Sequence, residues 1–466
     1  MRVRLGGYNV DTRTIEELSR GFGQEVTPEV LSASYARISR DPRDVTVLRE
    51  EARREVDRAR RSNRAIVFGL GHSSVAEHAV FNFDIMDVSR LAVEAVEHFR
   101  LASFTEKSQR YIRLGKDFVR PREITESGFG KDFERLVSRL SDAYLELFEA
   151  IRSTGADEGT AQEDARYLMP LATAAQFGMT VNARELEYMI GKLAAHPLEE
   201  LREISKRLSK ASRKVAPSLV RYPEPTRHTV AATSVRRRMA SLCDRTAPTE
   251  QSPVALLEAT PDADTRLAAS LIFGAGAACY DDALEMAKRL GRRERARLIT
   301  RSLEQMEPWD GVWREFENIV FIFEVVVSAS CYAQLKRHRM TTQIVQRYDP
   351  RLGISIPQTV RDAGSVGRMR EAASSAQKLY RSMRRDAGPA AEYALTNAHR
   401  RRVLLQIDLR ELYHFSRLRS DAHAQWEIRR VSELMCAQAR RVSPAGSALL
   451  GGKDEFPLLL HRLERA

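Results

Sequence analysis

"ARYLMPLATAAQFGMTVNAREL" spans residues 165–186, and "AEYALTNAHRRRVLLQIDLREL" spans residues 391–412. Laid on each other without a gap, they bring Arg184 onto Arg410. A second pair lies upstream: "AEHAVFNFDI" at 76–85 and "FENIVFIFEV" at 316–325, and offsets stay near 226 to 240 throughout. A repeat of that length is a duplicated domain, unlike the 20–50-residue period of a solenoid. The segment "SLVRYPEPTRHTVAATS", with its two prolines and polar residues, is the boundary candidate. Two copies of one domain are therefore expected, over residues 1–225 and 226–466.

The length of 466 residues agrees, since one core rarely serves so many. Hydrophobic residues at 43% and charged residues at 30% fit a soluble globular protein. No apolar run reaches the roughly 18 residues of a membrane helix, and "MRVRLGGYNVDTRTIEEL" lacks the apolar core of a signal peptide. Cys243, Cys279, Cys331 and Cys436 are far apart, with no metal-ligand spacing. Free thiols in a cytoplasmic protein, and no metal, are the expectation. The net charge of +12 suits a phosphate-rich ligand, nucleic acid, or a plain solvated basic surface, and does not choose among them.

Helical periodicity dominates. "FERLVSRLSDAYLELFEAIRS" and "LEELREISKRLSKASRKVA" repeat apolar residues at three and four. "DPRDVTVLREEARREVDRARRS" reads as a charged helix, and its run "RREVDRARRSNR" as a solvated face. "AVFNFDI" alternates and "NIVFIFEVVV" is β-branched and aromatic, so both read as strands. Mostly helix with a few strands gives the α+β class.

Two stretches look like parts of one motif. "SFTEKSQRY" at 103–111 has Glu106, Ser108, Arg110 and Tyr111, and "KRHRMTTQIVQRY" at 336–348 has Arg337, His338 and Arg339. Alone, "KRHRM" is an ordinary basic surface stretch; its place after "NIVFIFEVVVSASCYAQL" and before "RY" gives it weight. With "GHSSVAEH" at 71–78, "DARYLMP", "NAREL" and "RLRSDAHAQWEIRR" at 417–430, the chain resembles the flavin-dependent thymidylate synthases. That family has GHxSxxEH, RHRxxSxxExSxRY, an AR..LP segment, NAR, and LR…AQ.EIR. The resemblance runs through most of the chain, once per half, and implies a small antiparallel sheet in each helix-rich copy.

The halves keep different parts. The first keeps His72, Glu77, His78, Glu106, Ser108, Arg110, Tyr111, Arg166, Asn182 and Arg184, but reads His98, Phe99, Arg100 for RHR and Leu193 for the later arginine. The second keeps Gln334, Arg337, His338, Arg339, Arg419, His423 and Gln425. It lacks the ExSxRY serine, has Asp408, Leu409, Arg410 for NAR, Glu392 in the place of Arg166, and Glu317, Asn318 for EH. The losses are largely complementary, which suits a composite site built from both halves.

The resemblance implies reductive methylation of dUMP to dTMP, with FAD as cofactor and NADPH and methylenetetrahydrofolate as co-substrates. It implies His72, Arg337, His338, Arg339, Asn182 and His423 for the cofactor; Gln334, Arg110, Arg166 and Arg419 for the substrate; and Ser108, Glu106 and Arg419 for catalysis. Arginine suits these phosphates because its fork binds their oxygens in charge-assisted pairs. A family that works as a tetramer implies a homodimer for a doubled chain, with one flavin and one nucleotide per chain. Nucleic acid is not expected as a partner. Two other readings stay open: a pyrimidine nucleotide hydroxymethylase, and a non-catalytic relic that binds flavin, nucleotide or nucleic acid.

Overall fold

The computed structural model describes residues 1–466 apart from 21–26, 39–42, 44, 70–72, 111–114, 222–223, 243–251, 277 and 466. His72, Tyr111 and Cys243 therefore lie outside the described residues. The described residues form two units. The first comprises Met1–Asp142, Met169–Thr246 and Ser374–Leu395; the second comprises Ala143–Leu168, Ala247–Ala373 and Thr396–Ala466. Each unit thus takes most of one half of the sequence and one short segment of the other half. Helices Gly130–Ser153 and Val366–Met383 have their residues divided between the units.

Each unit is built on a four-stranded antiparallel sheet. In the first, β1 (Arg2–Tyr8), β2 (Val80–Ser89), β3 (Ala102–Glu106) and β4 (Ala174–Asn182) are ordered β1-β2-β4-β3. In the second, β5 (Val254–Ala259), β6 (Val320–Ser328), β7 (Thr342–Val345) and β8 (Arg400–Asp408) are ordered β5-β6-β8-β7. The order is the same with four added to each number, as a duplication requires.

Alternation explains the central strands. Phe81, Phe83 and Ile85 of β2 are buried while Asn82 and Asp84 are exposed, and Phe177, Met179 and Val181 of β4 face the same core. In the second unit Phe321, Phe323, Val325 and Val327 meet Val403, Leu405 and Ile407. Burying each such side chain contributes roughly 1.5–3 kcal/mol. Helices Ala183–Ala194 and Glu199–Ser212 supply Leu186, Ile190, Ile204 and Leu208 to the first core. Helices Leu409–Arg419 and Trp426–Val442 supply Leu412, Phe415, Ile428 and Val431 to the second.

One expected helix is two. Val45–Arg54 and Val56–Asn63 meet at Glu55, whose φ of −122° and ψ of 62° are not helical. The basic run is also only partly solvated. Arg53 is buried between Glu17 and Glu50, both at 2.6 Å, and Arg60 holds the buried Glu29 at 2.6 Å.

Candidate functional site

Helix Ala329–Leu335 follows β6, and its N-cap Ser328 accepts from the backbone N–H of Cys331. Gln334 lies in its last turn, and the basic triplet follows directly. Arg337 and Arg339 are exposed, whereas His338 between them is 3% exposed. Helix Leu409–Arg419 follows β8, the antiparallel neighbour of β6. Eleven residues at about 1.5 Å each carry it back some 16 Å along the sheet, which returns Arg419 to the region of Gln334.

The contacts there are specific. Arg419 donates from Nε to Nε2 of His338 at 3.0 Å, from Nη1 to Oε1 of Gln334 at 2.9 Å, and from Nη2 to the Gln334 carbonyl at 3.4 Å. A guanidinium only donates, so Nε2 of His338 accepts. Nδ1 of the neutral ring then carries the proton, and it faces Oε1 of Glu411 at 3.2 Å. The ring packs on Phe415, with centroids 4.6 Å apart, and against His414 at 5.8 Å. Burial, then the charge of Arg419, holds the His338 pKa well below its usual value, so the ring is neutral. Burial pushes the Glu411 carboxyl up, opposed by His414 and Arg410.

Arg166 belongs to this same unit, although it comes from the first half of the sequence. It is 4% exposed and donates from Nε to the Glu163 carbonyl at 3.0 Å. Its segment is seated by buried hydrogen bonds. Asn397 donates to the Arg166 carbonyl at 3.1 Å, and the backbone N–H of Ala398 to that of Tyr167 at 2.9 Å. The Tyr167 hydroxyl donates to Oε2 of Glu427 at 2.8 Å and accepts from Gln425 at 2.7 Å. His423 is exposed and its Nδ1 lies 2.9 Å from Asp421.

The remaining expected residues are in the first unit. Glu106 ends β3 and pairs with Arg90 at 2.9 Å, with side chains 5% and 3% exposed. Ser108 accepts from the backbone N–H of Arg110 at 3.1 Å, and both are half-buried. Asn182 caps helix Ala183–Ala194 by accepting from the Glu185 N–H at 2.9 Å. Asp408 does the same for Glu411 at 2.8 Å, so the change from NAR to Asp408-Leu409-Arg410 keeps the cap. Arg184 pairs with Glu77 and Arg410 with Glu317, again in both copies. Glu392, Leu193 and Phe99, which stand where Arg166, Arg419 and His338 stand, all lie in the first unit. The units thus sort by completeness for these three positions.

The two described clefts lie elsewhere. One of about 670 Å³ in the first unit is lined by Lys206, Lys210, Arg213 and Lys214, and one of about 1010 Å³ in the second by Arg292, Arg440, Arg441 and Arg462. Neither takes in an expected site residue. They show where part of the positive charge is placed.

Glu411 was not anticipated from sequence, nor was the Tyr167–Glu427 pair. Glu411 reads as an ordinary first-turn acid of a helix, and only its distance to His338 distinguishes it.

A family model described as thymidylate synthase complementing protein matches residues 24–218 and again 255–445. The chain belongs to that family, the flavin-dependent thymidylate synthases, as two tandem copies. It is 25% identical over 441 residues to a UPF0159 protein of Chlamydia muridarum, covering 86% of this chain and 82% of that one. It is 22% identical over 484 residues to a UPF0159 protein of Thermoplasma acidophilum, covering 92% and 96%. A flavin-dependent thymidylate synthase of Pyrococcus abyssi is 34% identical over 140 residues, 30% of this chain and 57% of that one. Among the described residues, no helix is long and apolar enough to cross a membrane.

Proposed function

We propose that the chain is an FAD-dependent thymidylate synthase, methylating dUMP with methylenetetrahydrofolate and NADPH. One observation carries this reading: Gln334, His338 and Arg419 form a hydrogen-bonded set in the unit that also receives Arg166 from the other half. The division of the copies at residues 225 and 226 is part of the same proposal.

The residues fit the cofactor that the family implies. Arg337 and Arg339 are exposed cations beside a buried neutral imidazole. Guanidinium forks match a pyrophosphate, and they are the groups that would hold it. Bound FAD supplies redox chemistry that no side chain here offers. Both ring nitrogens of His338 are engaged within the unit, so His338 serves the site through Arg419. Arg166 and Arg419 hold the substrate phosphate, and Gln334 fixes the guanidinium of Arg419. Ser108 and Arg110 are assigned to substrate, and His72, Asn182 and His423 to cofactor, on the family resemblance. Glu106, buried against Arg90, anchors the strand end that leads to Ser108 and Arg110. The chain pairs as a homodimer.

Growth of a thymidine auxotroph on expression, with a flavin spectrum in the purified protein, tests this. Arg166→Ala should raise the dUMP dissociation constant about tenfold or more, a charge-assisted contact being worth roughly 1.5–3 kcal/mol. A colourless protein that fails to complement, or one that binds deoxyuridine as tightly as dUMP, overturns the reading.

A further inference from the structure

We propose that Glu411 is the positioning residue of this site: it fixes the tautomer of His338 and, through that ring, the guanidinium of Arg419. This rests on the assignment of Arg419 to the substrate. Both contacts on the ring call for the same tautomer, and Glu411 supplies the acceptor that holds it. Glu411 accepts from Nδ1–H, which leaves the Nε2 lone pair for Arg419, which in turn is fixed on Gln334. In the other tautomer Nε2–H would face the Arg419 N–H, donor against donor, while Nδ1 would face a carboxylate, acceptor against acceptor. With His338 3% exposed and Glu411 8% exposed, water cannot easily repair either mismatch.

The duplicated copy acts as a control. Glu185 occupies the position of Glu411 on the equivalent helix, but the ring position is Phe99 and the arginine position Leu193. Glu185 there takes a hydrogen bond from the backbone of Leu101 instead. Phe99 and Tyr188 keep their centroids 5.8 Å apart, the spacing of His338 and His414. The framework is common to both copies, whereas the ring nitrogens and the guanidinium they orient occur in one.

His338, Glu411 and His414 also place three potential ligand atoms within 4.8 Å of one another. A cation at Nδ1 would need the proton moved to Nε2, expelling Arg419, and it would bind beside that guanidinium's charge. Hydrogen bonding accounts for the cluster better than metal does, and the difference is measurable.

The full chain, labelled with 15N histidine, reports the tautomer through its imidazole nitrogen shifts; it has ten histidines, and His338→Gln assigns the resonance. The wild type should show Nδ1–H with a bare Nε2. Glu411→Gln, which keeps a carbonyl acceptor, should retain it. Glu411→Leu should invert or mix it, and should raise KM for dUMP about tenfold while changing kcat less. An Nε2–H wild type, which needs no variant to observe, overturns the proposal. So does an unchanged tautomer in Glu411→Leu, or a tetrahedral cobalt spectrum on Co2+ addition that Glu411→Leu abolishes. The expected tautomers in a protein that binds neither dUMP nor FAD would support the relay and overturn only the assignment of its ligand.

Discussion

Glu106 and Arg90 form a buried ion pair in the first unit, and the matching positions of the second unit hold Val345 and Ala329. One fold has thus accepted a charged pair and an apolar pair in the same place. Removing one partner of a buried ion pair costs roughly 3–5 kcal/mol, whereas replacing both is often near neutral. Glu106→Ala should therefore lose roughly that much in urea unfolding, and Arg90→Ala with Glu106→Val should recover most of it. A fully stable Glu106→Ala protein that no longer binds dUMP would instead make Glu106 a ligand group. Asp164 and His399 permit a second test. Burial raises the Asp164 pKa to about 6, against hydrogen bonds from Thr359 and Trp426, and burial lowers that of His399 to about 4. Folded Asp164 holds a proton that the unfolded chain releases near pH 4, so its contribution is full below pH 4 and is lost as pH rises through 6. Folded His399 resists a proton that the unfolded chain takes near pH 6.5, so its contribution is full above 6.5 and is lost as pH falls through 4. Each is worth roughly 3 kcal/mol, with opposite sign in the same window. Relative to wild type, Asp164→Asn should gain stability from pH 4.5 to 6.5 and His399→Gln should lose it. Parallel profiles for all three proteins would refute the assignment.

At the scale of elements, how much the sequence discloses depends on length and symmetry of patterning. β2 and β6 announce themselves because nine or ten residues alternate against a core. The four residues of β7 leave Thr342 and Ile344 exposed, too short a pattern to separate from a loop. The break at Glu55 is invisible in the periodicity, and so are the remote acids Glu17 and Glu29 that Arg53 and Arg60 meet on either side of it. Gln334, His338 and Arg419 were legible from motif spacing. Glu411 was not, since Glu185 repeats it in a copy where it has no ring to hold. The family's NAR asparagine shows how a motif residue can also be an element's boundary. Asn182 caps a helix, and Asp408 caps its counterpart. Asn and Asp are close to equal as caps, while Ala costs about 1 kcal/mol. Asn182→Asp should leave the denaturation midpoint nearly unchanged and Asn182→Ala should lower it. Flavin retention in Asn182→Asp at wild-type affinity would restrict Asn182 to capping; its loss at full stability would place the amide against the cofactor.

For the whole molecule, the exchanged segments decide what the duplication can and cannot do. Glu200 is buried in the first unit, where it accepts from the Ser89 hydroxyl and N–H and from the hydroxyl of Tyr393, a residue of the second half. The Leu395 and Tyr393 carbonyls accept from the backbone of Leu171 and Ala172. Glu427 is its counterpart in the second unit, holding Ser328, Ser355 and Tyr167 of the first half. A half-chain of residues 1–225 therefore lacks the segment that completes its unit, and so does 226–466. Each still carries its own version, because Tyr167 and Tyr393 are equivalent. In the full chain each buried glutamate takes its tyrosine from the other half, so a half-chain is expected to trade segments with a second copy of itself or with the other half. Neither should persist as a stable monomer in light scattering. The self-pairs also combine the wrong residues. Paired with itself, 226–466 sets an acid, Glu392, at the position of Arg166; paired with itself, 1–225 offers Leu193 and Phe99 in place of Arg419 and His338. Only the mixture joins Arg166 to Arg419. Co-expressed halves should therefore bind one flavin per pair and complement the auxotroph, while each half alone does neither. A monomeric half-chain of native stability, or flavin bound by either half alone, would show that the exchange is dispensable and that the two copies are independent.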